Sequence, residues 1–312
     1  MTTPLVTVIC TSYNHKYFIE ECVNSVLNQT YTNIELILVD NASTDGSVGA
    51  IEKIINKNPT IRLIKNDENI GLCRAFNQAF RMSKGEYLID LAADDVLEPT
   101  RIEAGVTSFT QFPDGGISFS DAYYINSRSE IIGPHYKRNK KGELLQHVPQ
   151  GDVYTEIIAR YFICPPTMMY ARKVVEALQG YDEQLAYEDF DFQVRASRIF
   201  PFVYTDAILV KKRVLENSLS TQQYQPNSKI LLSTCAICEK AYHLNRTKQE
   251  HQALKKRIYY ELRQAILSQN YIAARCFLSL LKKMKDKSVQ RVVYSFLVEN
   301  KINLSFIKSI KP

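Results

Sequence analysis

The sequence predicts an α/β protein: a mostly parallel sheet covered on both faces by helices, followed by an all-helical C-terminal region. Three observations carry this. From Pro4 to Pro99, short apolar runs bounded by polar turns alternate with segments of helical periodicity. Strand character returns at 116–124 and 202–210 with looser spacing, which makes the sheet mixed. Beyond about residue 225 the apolar residues keep helical spacing to the end. The expected division is 1–224 for the sheet domain and 225–312 for a basic helical region, its boundary marked by Ser220-Thr-Gln-Gln-Tyr-Gln-Pro-Asn.

The elements follow in order. Pro4 to Cys10 is a β-branched strand ending at the polar turn Thr11-Ser-Tyr-Asn. Phe18, Ile19, Cys22, Val26 and Leu27 then recur at helical spacing. Ile34 to Val39 is a buried strand that stops at Asp40, and Asn41-Ala-Ser-Thr-Asp-Gly-Ser runs into a helix with Ile51, Ile54 and Ile55 as its apolar stripe. Ile61 to Ile64 is a third strand, and Asn66 to Gly71 opens a helix through about Met82. Tyr87 to Leu91 is a fourth, halted at Asp94-Asp95 before Pro99 starts the next helix. A strand is then expected over 116–124, a polar loop or small hairpin over 125–150, a strand over Thr167–Ala171, a helix over Glu188–Ile199 and a strand over Phe202–Val210.

Bulk properties narrow the function. The chain of 312 residues has an ordinary soluble composition and a net charge of +6. That charge is uneven: residues 248–312 hold 14 Lys/Arg against 4 Asp/Glu, and the remainder is mildly acidic. A general nucleic-acid surface on the sheet domain is therefore not expected. The N-terminus carries no secretory signal pattern, and no apolar stretch approaches the roughly 18 residues of a spanning helix. Seven cysteines in apolar surroundings fit reduced, core-packed thiols in a cytosolic protein. Cys235-Ala-Ile-Cys238 has zinc spacing but lacks a second ligand pair, so it too is expected to be core.

Three features fall at the carboxyl ends of strands, where open α/β sheets bind ligands. Tyr13 offers a flat face for a base, and Asp40 an acceptor for the imide N–H of a uracil. Asp94 and Asp95 are hard oxygen ligands suited to Mg²⁺ or Mn²⁺ holding a diphosphate. Gly71 allows close backbone approach, and Arg74 near a helix start reaches toward phosphate. Singly, each has a plain structural reading: a packed turn aromatic, an N-cap, a surface cation. Their order at successive strand ends favours a site.

The stretch VTVICTSYNHKYFIEECVNSVLNQTY, with Glu35-Leu-Ile-Leu-Val-Asp-Asn-Ala-Ser-Thr-Asp-Gly-Ser47, Asn69-Ile-Gly71 and Gly85-Glu-Tyr-Leu-Ile, resembles the family 2 glycosyltransferases of GT-A fold over about residues 4–220. The resemblance implies an inverting transferase that uses a nucleotide-diphosphate sugar, a UDP-sugar by the Asp40 reading, and a divalent metal, Mn²⁺ or Mg²⁺. It implies base contacts at Thr11, Tyr13 and Asp40. Ribose and phosphate contacts fall at Gly71, Arg74 and Asn77, and metal and ribose carboxylates at Asp94 and Asp95, leaving open which of the two ligates the metal. Gly180-Tyr-Asp-Glu and Glu188-Asp189-Phe-Asp191 are similar to the family's acceptor-side region, which makes Asp189 the first choice for the base and Glu188 the second. Asp191 and Arg195, four apart on a helix, read as a structural pair. Lys211 and Arg213, before Asn217, are placed to stabilise the leaving diphosphate.

Three departures stand out: Ala92 where relatives carry a first acid, Phe76 where many carry Arg, and Leu215 where some carry His. They support an alternative, a non-catalytic sugar-nucleotide-binding or assembly protein. The resemblance implies a glycan or lipid-linked glycan acceptor in cell-surface polysaccharide synthesis. Under that reading, the basic region 248–312 would make a peripheral contact with an anionic inner membrane face.

Overall fold

The computed structural model describes residues 3–215 and 222–304. Asn217 and Ser220, and with them part of the expected domain boundary, lie outside the described residues. The chain divides into two compact units: one of residues 1–153, 162–183 and 199–215, the other of 154–161, 184–198 and 216–312. This cuts the chain in more places than a single boundary at 224. Two short internal segments join the C-terminal helices, because their apolar faces find partners there.

The first unit is a nine-stranded mixed sheet. Its N-terminal half alternates β1 (Val6–Ser12), α1 (Ile19–Leu27), β2 (Ile34–Asp40), α2 (Ser47–Lys57), β3 (Arg62–Lys65), α3 (Leu72–Met82) and β4 (Tyr87–Ala92). These four strands pair in parallel, with β1 between β2 and β4 and β2 also against β3. Val6, Val8, Ile9, Leu36 to Val39, Leu88, Ile89 and Leu91 are buried, as near-continuous apolar strands covered on both faces should be. Gly85 enters β4 where its backbone N–H reaches the Thr7 hydroxyl at 2.9 Å, and a Cβ there would meet the Thr7 backbone.

The rest of this unit completes the sheet. After the short β5 (Val96–Leu97) and α4 (Arg101–Gln111) come β6 (Ile117–Ile125) and β7 (Ile131–Pro134), then β8 (Met169–Ala171), α6 (Arg172–Leu178) and β9 (Phe202–Arg213). The strand order is β3-β2-β1-β4-β8-β6-β9-β5, with β7 on β6. β8 is antiparallel to β4 and to β6, while β6 and β9 are parallel. The polar 125–150 stretch forms the β6–β7 hairpin and a further turn bridged at Arg138 and Leu144.

The second unit is helical: α5 (Tyr154–Ala159), α7 (Glu188–Ser197), α8 (Lys229–Leu244), α9 (Lys248–Leu267), α10 (Tyr271–Lys283) and α11 (Val289–Glu299). Thr247 and Glu250 form a capping box that starts α9. Glu250 also holds Arg198 at 2.8 Å, and Arg198 lies 3.8 Å over the Tyr154 ring. At the centre, buried Arg257 sits 3.6 Å over Tyr161 and 4.5 Å over Phe190, and pairs with Glu261 at 3.1 Å.

One expectation about the cysteines is corrected. Cys235 of α8 is disulfide-bonded to Cys276 of α10, with Cα atoms 6.3 Å apart. Cys238 and the other four cysteines are buried and form no disulfide. Local spacing shows which helix face a thiol occupies, not which helix packs against it.

Candidate active site

Parallel pairing brings the candidate residues of the first unit to one rim. Ser12 stands opposite Asp40 at the ends of β1 and β2, and Thr11 stands opposite Ala92 at the end of β4. Thr11, Ser12 and Asp40 are buried, yet Thr11 Oγ1, Ser12 Oγ and Asp40 Oδ1 have no hydrogen-bond partner among the described residues. Asp40 Oδ2 accepts from the Ser43 N–H at 3.1 Å, which orients the carboxylate and leaves Oδ1 unpaired. Orphaned buried polar atoms are costly, and three at two adjacent strand ends mark a place where a polar ligand completes the bonding. Tyr13, next in sequence, is 43% exposed.

The loops around this rim are laced together. Asn14 takes a left-handed φ of 60° and accepts from the Thr44 N–H at 2.8 Å, while its own N–H reaches Ser43 at 2.9 Å. Asp45 accepts from the Lys16 N–H at 3.0 Å and from the Ser47 N–H at 2.9 Å. Burial opposes ionisation of Asp45, but bonds from the Ser47 hydroxyl and these N–H groups win and hold it below the usual carboxylate range. Asn41 accepts from Asn66 and the Ile70 N–H and donates to Asn69, which in turn accepts from the Gly71 N–H. Sequence reasoning missed Ser12, Asn41 and Asn69 as site-building residues; the available signal was the strand-end place of Ser12 and Asn41 and the place of Asn69 in the loop before Gly71.

Gly71 has φ 84°, a conformation that favours glycine, and opens α3. Arg74 in that first turn is 60% exposed and lies 3.5 Å from Glu183. Asn77 is given a different place from the one expected. Its amide donates to the Tyr181 carbonyl at 2.9 Å and to Glu183 at 3.0 Å, and its oxygen accepts from the Tyr181 N–H at 2.9 Å. Asn77 thus ties α3 to the turn at Gly180, with both ends of its amide engaged there. Phe76 is fully buried, 4.4 Å from the Tyr181 ring, so it is a core residue with no room for the Arg of relatives. Asp90 accepts from the Tyr181 hydroxyl at 2.8 Å, which accounts for that acid within the strand.

Asp94 and Asp95 form the turn after β4. Asp94 is half-buried and its carboxylate accepts no hydrogen bond among the described residues; Asp95 is 3% exposed. Burial, then the neighbouring Asp94 charge, pushes Asp95 up to about 8, against the opposing bond from the Arg213 N–H. The same two carboxylates, after a bond to Cys10 and burial, help raise the Cys22 thiol beneath them. No group of three or more His, Cys, Asp or Glu that could hold a metal occurs among the described residues. Asp94, whose carboxylate is unbonded among the described residues, and the buried Asp95 are hard oxygen donors of the kind that Mg²⁺ or Mn²⁺ takes.

Arg213 corrects a further expectation. Its side chain is buried, donating to the Asp94 carbonyl at 2.9 Å, the Asn126 carbonyl at 2.8 Å and Glu21 at 2.7 Å, and it stacks 4.6 Å over Phe18. It braces the acidic turn and is not available to a leaving diphosphate. Lys211 pairs with Glu98 at 3.0 Å.

Glu188 and Asp189 belong to the second unit, in the first turn of α7. Glu188 is buried and Asp189 half-buried. Three acids in that turn face the positive end of the helix dipole. Burial, then the Asp189 charge, raises the adjacent Tyr187 phenol. Asp191 is held by Arg195 at 2.6 Å and Lys240 at 2.7 Å, a structural role that the i,i+4 spacing foretold in part.

Comparison with known proteins gives this arrangement a context. The family model described as "Glycosyl transferase family 2" matches residues 7–179. A chondroitin synthase of Escherichia coli is 27% identical over 207 residues, 66% of this chain and 28% of that protein. The chain thus spans under a third of that relative. An uncharacterized glycosyltransferase of Haemophilus influenzae is 28% identical over 233 residues, 70% of this chain and 68% of that protein. Among solved structures, residues 1–349 of S. aureus TarS in complex with UDP-GlcNAc superpose with a TM-score of 0.67 at 14% identity, covering 95% of this chain and 88% of that one. The mannosyltransferase PcManGT of Pyrobaculum calidifontis, in complex with GDP-Man and Mn²⁺, gives 0.59 at 15% identity, covering 99% and 83%. At such identities the likeness establishes the fold.

Proposed function

This chain belongs to glycosyl transferase family 2 and has the GT-A fold, and from that premise we propose that it moves a sugar from a UDP-sugar to a hydroxyl of a glycan or lipid-linked glycan, with inversion at the anomeric carbon. The observation that carries the donor reading is the unpaired, buried Asp40 Oδ1 at the end of β2. A uracil N3–H would donate to this oxygen, with the base against Tyr13 and Thr11 contributing at the end of β1. The same chemistry fits the UDP-GlcNAc found with TarS.

Asp94 and Asp95 would hold Mn²⁺ or Mg²⁺, which supplies charge for a departing diphosphate. The family places the base that removes the acceptor proton at Asp189, with Glu188 second. Arg213 keeps the Asp94–Asp95 turn in place, Asn77 secures the turn at 180–183, and exposed Arg74 is the cation on α3 for phosphate. The reading as a non-catalytic binding module draws on Ala92, Phe76 and Leu215. Phe76 no longer favours it, since that residue packs the core.

Incubating the protein with UDP-sugars and Mn²⁺, with and without acceptor glycans, tests the proposal. Release of UDP that needs Asp95 supports it. Tight UDP binding with no release under any condition would favour the module.

A further inference from the structure

The helix α11 carries an unpartnered apolar stripe. Val289, Val292, Val293 and Phe296 recur at i, i+3, i+4 and i+7 and are 78%, 57%, 49% and 59% exposed. Val298 is the sole fully buried residue of this helix, so α11 meets its own unit along a narrow line. Four large apolar side chains in register on one face exceed the scatter of single exposed residues found on most surfaces.

The charge around this stripe is mostly positive; exposed Glu299, the last residue of α11, is the acid on its rim, and Lys283 is paired with Glu239. Lys282, Lys283, Lys285 and Lys287 lead into α11, and Lys301 follows it. Between Arg275 and Val298 the only acid is Asp286, and it is turned inward: its side chain is 3% exposed and bound by Lys255, Tyr259 and Ser288. Its pKa falls to about 2; burial opposes this, but those bonds prevail. The outward surface of this stretch is therefore apolar along the helix and cationic at its N-terminal end, while Glu299 and Lys301 offset each other at the other.

We propose that this face of α11, with Lys285 and Lys287, docks on an anionic lipid bilayer. The inference gives the membrane contact suggested above a definite surface, and it does not depend on the transfer reaction. Two facts choose the occupant. Eleven residues make a helix about 16 Å long, too short to span but suited to lying in the interface with its apolar face down. A second copy of the chain meeting this face with the helices side by side in the same direction would bring two lysine-rich ends together, which disfavours that self-association. Among the described residues no helix is long and apolar enough to cross a membrane, so attachment of this part would be peripheral.

Flotation of the full chain with vesicles tests this, using phosphatidylcholine alone and phosphatidylcholine containing phosphatidylglycerol. The wild-type chain is expected to partition onto the anionic vesicles and to be released by salt. The double variant Val292→Ser/Phe296→Ser should lower the partition constant at least tenfold, with unchanged far-UV circular dichroism and thermal midpoint. Lys285→Gln/Lys287→Gln should lower it about fivefold per cation removed. Wild-type partitioning of the serine variant overturns the proposal, as does equal binding to neutral vesicles. A concentration-dependent dimer that the serine variant dissociates would assign the stripe to self-contact and overturn it too. UDP release, measured separately, bears on the transfer reading alone.

Discussion

Arg213 donates its backbone N–H to Asp95 Oδ1 at 2.8 Å, across 118 positions of sequence. Its guanidinium turns back to the Asp94 carbonyl, so one residue of β9 fixes both halves of the acidic turn. Arg213→Met would leave the Asp94 and Asn126 carbonyls unpaired and is expected to destabilise the fold by about 2–4 kcal/mol. It should also raise the Mn²⁺ concentration needed for half-maximal transfer. Chemical denaturation and metal titration of activity check both. A variant with normal stability and normal metal dependence would show that the turn needs no brace.

Asp40→Asn removes the acceptor for an imide N–H while still offering an oxygen to the Ser43 N–H. UDP affinity should fall about tenfold to a hundredfold, with a narrower preference over CDP. Calorimetric titration reads this directly. An unchanged dissociation constant would remove Asp40 from base recognition.

Asp189→Asn should leave UDP-sugar affinity intact and reduce turnover by about 10²–10⁴-fold, the usual contribution of a positioned base. Parallel binding and transfer assays separate the two effects. If transfer survives here and fails in Glu188→Gln, the base is Glu188.

Phe76 tests whether the missing Arg of relatives is a lost function or a packing choice. Phe76→Ala should cost about 3–5 kcal/mol by opening a cavity against Tyr181 and Phe80. Phe76→Arg should prevent stable folding rather than improve transfer, because the site is fully buried. A soluble, more active Arg variant would contradict this packing.

Asp286 gives the helical unit an acid-sensitive contact. Its folded pKa of about 2 lies below the ordinary 3.8, so its stabilisation is complete above about pH 4 and disappears as pH falls toward 2. Lys255 is partly exposed, which limits the contribution to about 1–2 kcal/mol. Asp286→Asn should lower stability near neutrality and flatten its dependence over that acidic window. Denaturation midpoints for both proteins across that range decide it.

Much of the site was legible because the evidence for it is local. An apolar run ending at a polar residue identifies a strand end, and parallel pairing puts successive strand ends on one rim. Asp40, Asp94 and Asp95 could therefore be placed on that rim from the sequence, while Thr11 was named through the family resemblance. The alternating elements of residues 4–99 and the helical C-terminal region were legible for the same reason: periodicity repeats within a few residues. What only the tertiary structure decided depends on partners far apart in the chain. Asn77 reaches Tyr181 over 104 positions and so becomes a tie within the fold. Cys235 meets Cys276 over 41, and Asp286 turns inward to Lys255 while the Val289–Phe296 stripe stays bare. A sequence pattern reports which face a residue occupies; what that face meets is set by packing between distant segments, and there a side chain becomes a ligand, a brace or an exposed surface.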